Sequence, residues 1–527
     1  MGTVGQSKWD LVFPSGAPER IGDMFATAVV ADAVRGYDAD LAQSVETCRD
    51  WHCSYRTMFR GLTALAASSP AASVGIATEG LRSARNLLRF VTGSTVAPLR
   101  SVDVETVAEP GTLDTVRVEG TAKPSARLEV PYRETVLTEE SLQRQLTEWR
   151  RGGIVEPGFA AAVERVIDHP EWLSLPGFRV IVAGAAAELG PLRPLLRWGA
   201  DVLAIDLPGP ERWQELSRIA EASAGLLRYP ITIGPGADIT RQFPALVHWI
   251  RAHLGADARP VFGLYANASG PSGVRLVTAM DVLVEDLLDH RPDAALAVLG
   301  SPNDCYAVPE EVVAQAHARL RGTGQNLLRL LSASTLYRPN YRTTITDHLG
   351  AIWSVADALI PADGPNHVLA QRILRWRAVL AHTAGRTVSY TVAPPALTGA
   401  VRAQPSLAAA YRSAHRFGIE VFEPGTARAL LAAKLVADLM APPAAPDNVN
   451  PESLFAVGAA HGGLWRQPFE PHSILPMAAV EGSVATAVDS VAAAVDSVAA
   501  ATGYVRSLFG ATADHGTEST QSRMRRR

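Results

Sequence analysis

Two groups of residues in this 527-residue chain have types and spacings that suit chemistry. The first is the small-residue turn Gly184, Ala185, Ala186, Ala187, Glu188, Leu189 and Gly190, between an apolar run that ends at Ala183 and a helical pattern that starts at Pro191. Small side chains let a backbone approach an anion, and N–H groups at such a turn can cradle phosphates. Asp206, with Leu207 beside it, ends the next apolar run, where a carboxylate can accept hydrogen bonds from a ribose diol. Ala266 and Asn267 end a later apolar run, where an Asn can be a turn residue. The second group holds proton-transfer residues and cations. Ser301, Asp304 and Tyr306 lie close together in one stretch, and Tyr337, Arg338, Tyr341 and Arg342 in another. Hydroxyls and a carboxylate can move protons, and Arg338 and Arg342 can hold a carboxylate or phosphate of a small-molecule substrate. Plainer readings stand beside these. Asp206 can cap a helix ahead of Pro208, residues 301–306 can be a turn before a helix at Pro309, and the Arg- and Tyr-rich stretch can be a solvated loop.

Such groups need a frame, and the hydrophobic periodicity supplies one. Apolar runs at Val180–Ala183, Val202–Ile205, Leu226–Ile233, Pro260–Ala266, Ala294–Leu299 and Thr387–Val392 read as strands. Helical patterns separate them at Pro191–Trp198, Glu211–Ala222, Asp238–Leu254, Val274–Leu288, Pro309–Arg321 and around His367–Ala384. This alternation predicts a doubly wound parallel α/β sheet with helical extensions at both ends. The expected units are a mainly helical region with short strands over 1–135 and the α/β domain over 136–440. A Pro- and Gly-rich linker or lid is expected over 441–482, an amphipathic helix over 483–510 and a disordered tail over 511–527. Within 483–510, Val488, Val491, Val495 and Val498 repeat at steps of three and four, which places them on one helical seam.

The strand, glycine-bounded turn, helix and acid-terminated strand from Arg179 to Asp206 resemble the short-chain dehydrogenase/reductases, and with Asn267 and Ser301 the resemblance runs over roughly residues 179 to 310. It implies a Rossmann-like fold that binds a dinucleotide, and an oxidoreductase acting on a carbonyl or hydroxyl group. Gly184 to Gly190 would cradle the pyrophosphate and Asp206 the ribose, which favours NAD over NADP because a carboxylate repels a 2′-phosphate. The sequence departs from the pattern at two places. Glu188 stands where the family has its middle glycine, and no lysine follows any tyrosine at the Tyr-x-x-x-Lys spacing. An S-adenosylmethionine-dependent methyltransferase shares the first strand, turn and acid, although a closing antiparallel hairpin is not evident. A non-catalytic nucleotide sensor or assembly platform is the third alternative.

Composition bounds the rest. Lysine and arginine number 49 against 53 acids, so nothing in the balance calls for nucleic acid or an anionic membrane. No apolar run reaches the roughly 18 residues of a membrane span, and no secretory leader is evident, so a cytoplasmic protein is expected, with a homodimer possible. Arginine greatly outnumbers lysine, which suits a GC-rich bacterial genome. Cys48, Cys53 and Cys305 form no disulfide framework, and Cys48, His52 and Cys53 lack the second half of a zinc site.

Overall fold

In the computed structural model of the chain, the described residues are 9–14, 21–92, 95–102, 113–321, 338–360, 364–442, 449–475 and 478–480. The apolar runs form one seven-stranded sheet. Its strands in chain order are β1 (Asp114–Glu119), β2 (Phe178–Ala183), β3 (Asp201–Ile205), β4 (Leu226–Ile231), β5 (Arg259–Leu264), β6 (Ala295–Gly300) and β7 (Val388–Val392). Their spatial order is β7-β6-β5-β2-β3-β4-β1. Strands β2 to β7 are mutually parallel, and β1 runs antiparallel on the edge of β4, with Asp114 opposite Ile231. The chain therefore winds outward from β2 through β3 and β4, returns to lay β5 against the other side of β2, and winds outward again.

Both faces of this sheet are covered, which is why its strands read as unbroken apolar runs. Alternate side chains point to opposite faces and divide the interior in two. Ile181, Leu203, Ile205, Phe262, Leu296 and Val298 belong to one core, and Val180, Val182, Val202, Ala204, Val261 and Ala297 to the other. The helices on the second face include Glu139–Arg151, Pro157–Asp168, α1 (Leu192–Trp198), Pro210–Glu221 and α6 (Pro424–Met440). The first face is covered by α2 (Gly270–His290) and α3 (Gly364–Thr383), which pack side by side. Between α3 and α6 lie the short α4 (Gly399–Arg402) and α5 (Pro405–Ser413).

The N-terminal helices share the first core. Ile21–Val34, Trp51–Ser68 and Pro70–Leu87 stack on α2 and α3, so close that a Cβ on Gly80 would lie 2.5 Å from the Trp376 ring. Asp50 and Ser69 cap the second and third of these, and Asp38 caps the intervening Ala39–Glu46, each by accepting from a backbone N–H group. The main sheet also reaches into this part of the chain through β1.

Three expectations need correction. The helix expected from Asp238 starts at Phe243, because Asp238 accepts from Thr240 N–H and donates its own N–H to Gln242 Oε1, an Asx turn that ends ahead of Pro244. Residues 301–306, for which a turn was one of two readings, run at Cys305 into a buried strand, Cys305–Pro309, paired antiparallel with Ile352–Asp357, a partner too distant in sequence to show in local periodicity. Residues 461–470, read as part of a linker or lid, are buried throughout and pack their apolar members into the first core. The valine repeat of 483–510 and the tail of 511–527 lie outside the described residues.

Candidate functional site

A cavity of about 700 Å³ opens where the carboxyl ends of β2, β3, β5, β6 and β7 meet. It straddles the reversal of winding between β2 and β5. Crevices beyond the carboxyl ends of parallel strands are where open α/β sheets bind ligands.

On one side the wall is the turn after β2. Gly184 has φ of +92°, and a Cβ there would lie 2.3 Å from the Ala266 nitrogen, so only glycine lets this turn pass the end of β5. Much of the turn's hydrogen bonding is internal. Gly184 and Ala185 donate to the Ile205 carbonyl, Ala187 to Gly184 and Gly190 to Ala187. The Glu188 and Leu189 N–H groups have no partner among the described residues and stand at the cavity wall. Gly190 has an ordinary φ, and a Cβ on it would come no closer than 3.1 Å to Ala187.

Asp206 ties this turn to β3. Its Oδ2 accepts from Ala186 N–H at 2.8 Å and its Oδ1 from Leu207 N–H at 2.8 Å, with Arg212 Nε 3.7 Å away. The bracing role and the ribose role are compatible, since each carboxylate oxygen keeps a second lone pair. Glu188 is bonded to a different part of the chain. Its Oε2 accepts from Gly399 N–H at 2.8 Å, and its carbonyl accepts from Arg428 Nη1 at 3.0 Å. The turn is thereby fastened to α4 and α6. Leu207, Ala266 and Asn267 also line the cavity.

The proton-transfer candidates are dispersed. Ser301 lines the cavity, donating its N–H to Gln371 Oε1 and accepting from Asn303 N–H on its hydroxyl. Asp304 does not line it; fully buried, it accepts from Arg372 at 2.9 Å and Arg375 at 3.2 Å. Tyr306 is buried as well, donating to the Ser301 carbonyl at 2.7 Å with the Arg375 guanidinium 4.5 Å over its ring. Two buried guanidinium groups on α3 require counter-charge and π faces, and this requirement accounts for both residues.

Tyr341, Arg338 and Arg342 lie away from the cavity. Tyr341 donates to the Trp465 carbonyl, Arg342 reaches Glu470 at 2.6 Å and Arg338 is exposed, its carbonyl accepting from Glu470 N–H. Arg342 belongs to a separate ionic cluster in which Arg56 and Arg60 approach the buried carboxylates of Asp357 and Glu470. Burial pushes the Tyr306 and Tyr341 phenols well above their ordinary pKa, the reverse of activation. Tyr337 lies outside the described residues.

In place of these, the cavity gathers residues from the helices: Arg275 of α2, His367 and Gln371 of α3, and Gln404 and Tyr411 from the segment after α4. They were passed over because helical periodicity presents them as ordinary members of packed helices. A histidine in the first turn of α3 is the one local signal that was available. Among the described residues no three His, Cys, Asp or Glu side chains converge as metal ligands, and no helix is long and apolar enough to cross a membrane. The chain matches no known family model and no curated protein.

Proposed function

We infer that this chain is an NAD-dependent oxidoreductase acting on a small molecule. The observation that carries the reading is the placement of the cavity across the reversal between β2 and β5, with Asp206 on its wall at the end of β3. Counted from β2, the six parallel strands stand in the order 3-2-1-4-5-6, which is the order of dinucleotide-binding Rossmann domains. The residues fit such a ligand. On this reading the turn at Glu188 and Leu189 would take the pyrophosphate and Asp206 the adenosine ribose, with Asn267 and Ser301 also among the lining residues. A cavity of this size is in the range that encloses a cofactor.

When bound, the nicotinamide supplies a two-electron acceptor or donor for hydride. The chain's own residues bind it, orient it and exclude water. Asp206 disfavours a 2′-phosphate by charge, although Arg212 nearby offsets part of that repulsion. The parallel pairing of β7 with β6, Leu296 opposite Val388, weighs against the methyltransferase alternative, which closes its sheet with an antiparallel hairpin.

Calorimetric titration with NADH, NADPH and S-adenosylmethionine tests the reading. Binding of NADH in preference to the other two is expected. A folded protein that binds none of them, or S-adenosylmethionine alone, would overturn it.

A further inference from the structure

One side chain in the cavity wall is almost wholly buried and still offers hydrogen-bond donors to the cavity. Gln371 of α3 lines the cavity and is only 7% exposed. Its Oε1 accepts the Ser301 N–H at 3.0 Å. Only the oxygen of an amide can meet an N–H donor, so this bond fixes the orientation of the amide and leaves the NH₂ group for another partner. Among the described residues the NH₂ group has none. The unpartnered Nε of Arg275 and Nε2 of His367 are sealed from solvent, whereas the Gln371 NH₂ group is not. The small exposed part of this side chain lies in the cavity.

Both sides of this contact are locked in place. Next along α3, Arg372 donates to Asp304 at 2.9 Å and to the Cys305 carbonyl at 2.8 Å, and Arg375 reaches the same carbonyl at 2.7 Å. The helix is thereby pinned to the segment that follows β6. Ser301 is held through its N–H by Gln371, through its carbonyl by the Tyr306 hydroxyl at 2.7 Å and through its Oγ by the Asn303 N–H at 3.1 Å. Because Oγ accepts that last bond, its own hydrogen is left to donate, and no acceptor for it stands among the described residues. The bond between Ser301 and Gln371 sets these two neutral donors side by side on the cavity wall.

Resting on the dinucleotide reading above, we propose that the Gln371 NH₂ group, with the Ser301 hydroxyl beside it, holds the oxygen of an uncharged carbonyl group, so that the substrate is an aldehyde or ketone rather than an acid. A carbonyl oxygen has two lone pairs and takes one donor on each. A carboxylate calls for a cation at the same point. The next cations along α3, Arg372 and Arg375, are engaged by Asp304, the Cys305 carbonyl and Glu452. Donors fixed in this way need no rearrangement when negative charge builds on the oxygen during reduction. Gln371 is therefore a residue that touches substrate and selects its chemical class.

The test uses the full chain with ¹⁵N in its glutamine side chains, and NADH affinity is measured in parallel by calorimetry. The Gln371 NH₂ signals are assigned by their loss in Gln371→Glu. Isobutyramide, an unreactive stand-in for a ketone, and isobutyrate, its anionic isostere, are titrated separately into the NADH complex. Isobutyramide is expected to shift the Gln371 signals at a concentration at least about tenfold below that needed for isobutyrate. In Gln371→Glu the carboxylate can still accept the Ser301 N–H but meets a carbonyl oxygen with a second acceptor. The half-saturating isobutyramide concentration of this variant, read by saturation transfer to the ligand, should rise at least about tenfold at about pH 8. It should recover towards about pH 5, where the introduced carboxyl group regains a proton to donate, while that of the parent stays level. NADH affinity should remain within about twofold of the parent. Gln371→Met serves where the first variant does not fold, and should show the same loss without recovery in acid. If NADH binds while isobutyramide leaves the Gln371 signals unmoved, isobutyrate binds equally well, or the variants take isobutyramide as the parent does, the carbonyl site is refuted and the dinucleotide reading stands. Weakened NADH binding in the variants would assign Gln371 to the cofactor and refute the proposal as well. If NADH does not bind the parent, both readings are refuted.

Discussion

Substituting Asp206 by asparagine separates the two roles that its carboxylate can play. In the parent each oxygen accepts one backbone N–H, from Ala186 and from Leu207, both at 2.8 Å. The side chain is only 14% exposed, so these charge-assisted bonds are little screened. An amide has one accepting oxygen, so Asp206→Asn must leave one N–H unpaired or face it with an NH₂ group. The expected loss of stability is about 1–3 kcal/mol, for one hydrogen bond to a charged group that is partly replaced. The effect on binding is different in kind. With the carboxylate gone, NADH loses its ribose acceptor and NADPH loses a repulsion, so the preference for NADH over NADPH should fall by about tenfold or more, equivalent to about 1.4 kcal/mol. Denaturant unfolding measures the first quantity, and paired calorimetric titrations with the two nucleotides measure the second. If the variant loses stability while the ratio of the two affinities changes by less than about twofold, Asp206 is a brace for the turn and nothing more, and the ribose assignment is wrong.

Other expected outcomes follow from the same geometry. Gly184→Ala should cost about 2–4 kcal/mol, since it forces a Cβ into φ of +92° and against Ala266, whereas Gly190→Ala should stay within about 1 kcal/mol of the parent; denaturant unfolding compares them. Asp304→Asn removes a charge facing Arg372 and Arg375 and should cost about 3 kcal/mol of stability, yet leave NADH affinity of the folded protein unchanged. Loss of NADH binding in that variant would restore Asp304 to the candidate site. Acid should destabilise the fold through His461. Burial lowers its pKa from 6.5 to about 4, so the folded state resists a proton that the unfolded state accepts. Its neutral form costs nothing above pH 6.5, and stability falls as pH drops from there towards 4, by up to about 3 kcal/mol. Unfolding free energies of the parent and His461→Gln across that window should converge as the pH falls, and parallel curves would show that His461 does not titrate the fold.

The parallel strands were legible because a sheet covered on both faces needs every residue apolar, and the helices between them keep a 3.6-residue period. Val180–Ala183 and Val202–Ile205 could hardly be anything else. Their ends were legible for the same reason, and Gly184, Asp206 and Ser301 do line one cavity. Cys305–Pro309 was not, because its identity as a strand depends on pairing with Ile352–Asp357, some fifty residues later, a contact with no local signature.

The catalytic candidates are dispersed for a physical reason of their own. A dense run of polar residues such as Ser301 to Tyr306 signals that something charged is near, and sequence cannot say whether it is a ligand or the protein itself. Here it is mostly the protein. Arg372 and Arg375 sit in the middle of α3, almost wholly buried, and a buried guanidinium is tolerated only where carboxylates and carbonyls meet it. Asp304 and the Cys305 carbonyl supply that need from the β6 side, and Glu452 from a third segment. Conversely, Arg275 and His367 lie about ninety residues apart on α2 and α3, and only the packing of those helices brings both to the cavity lining.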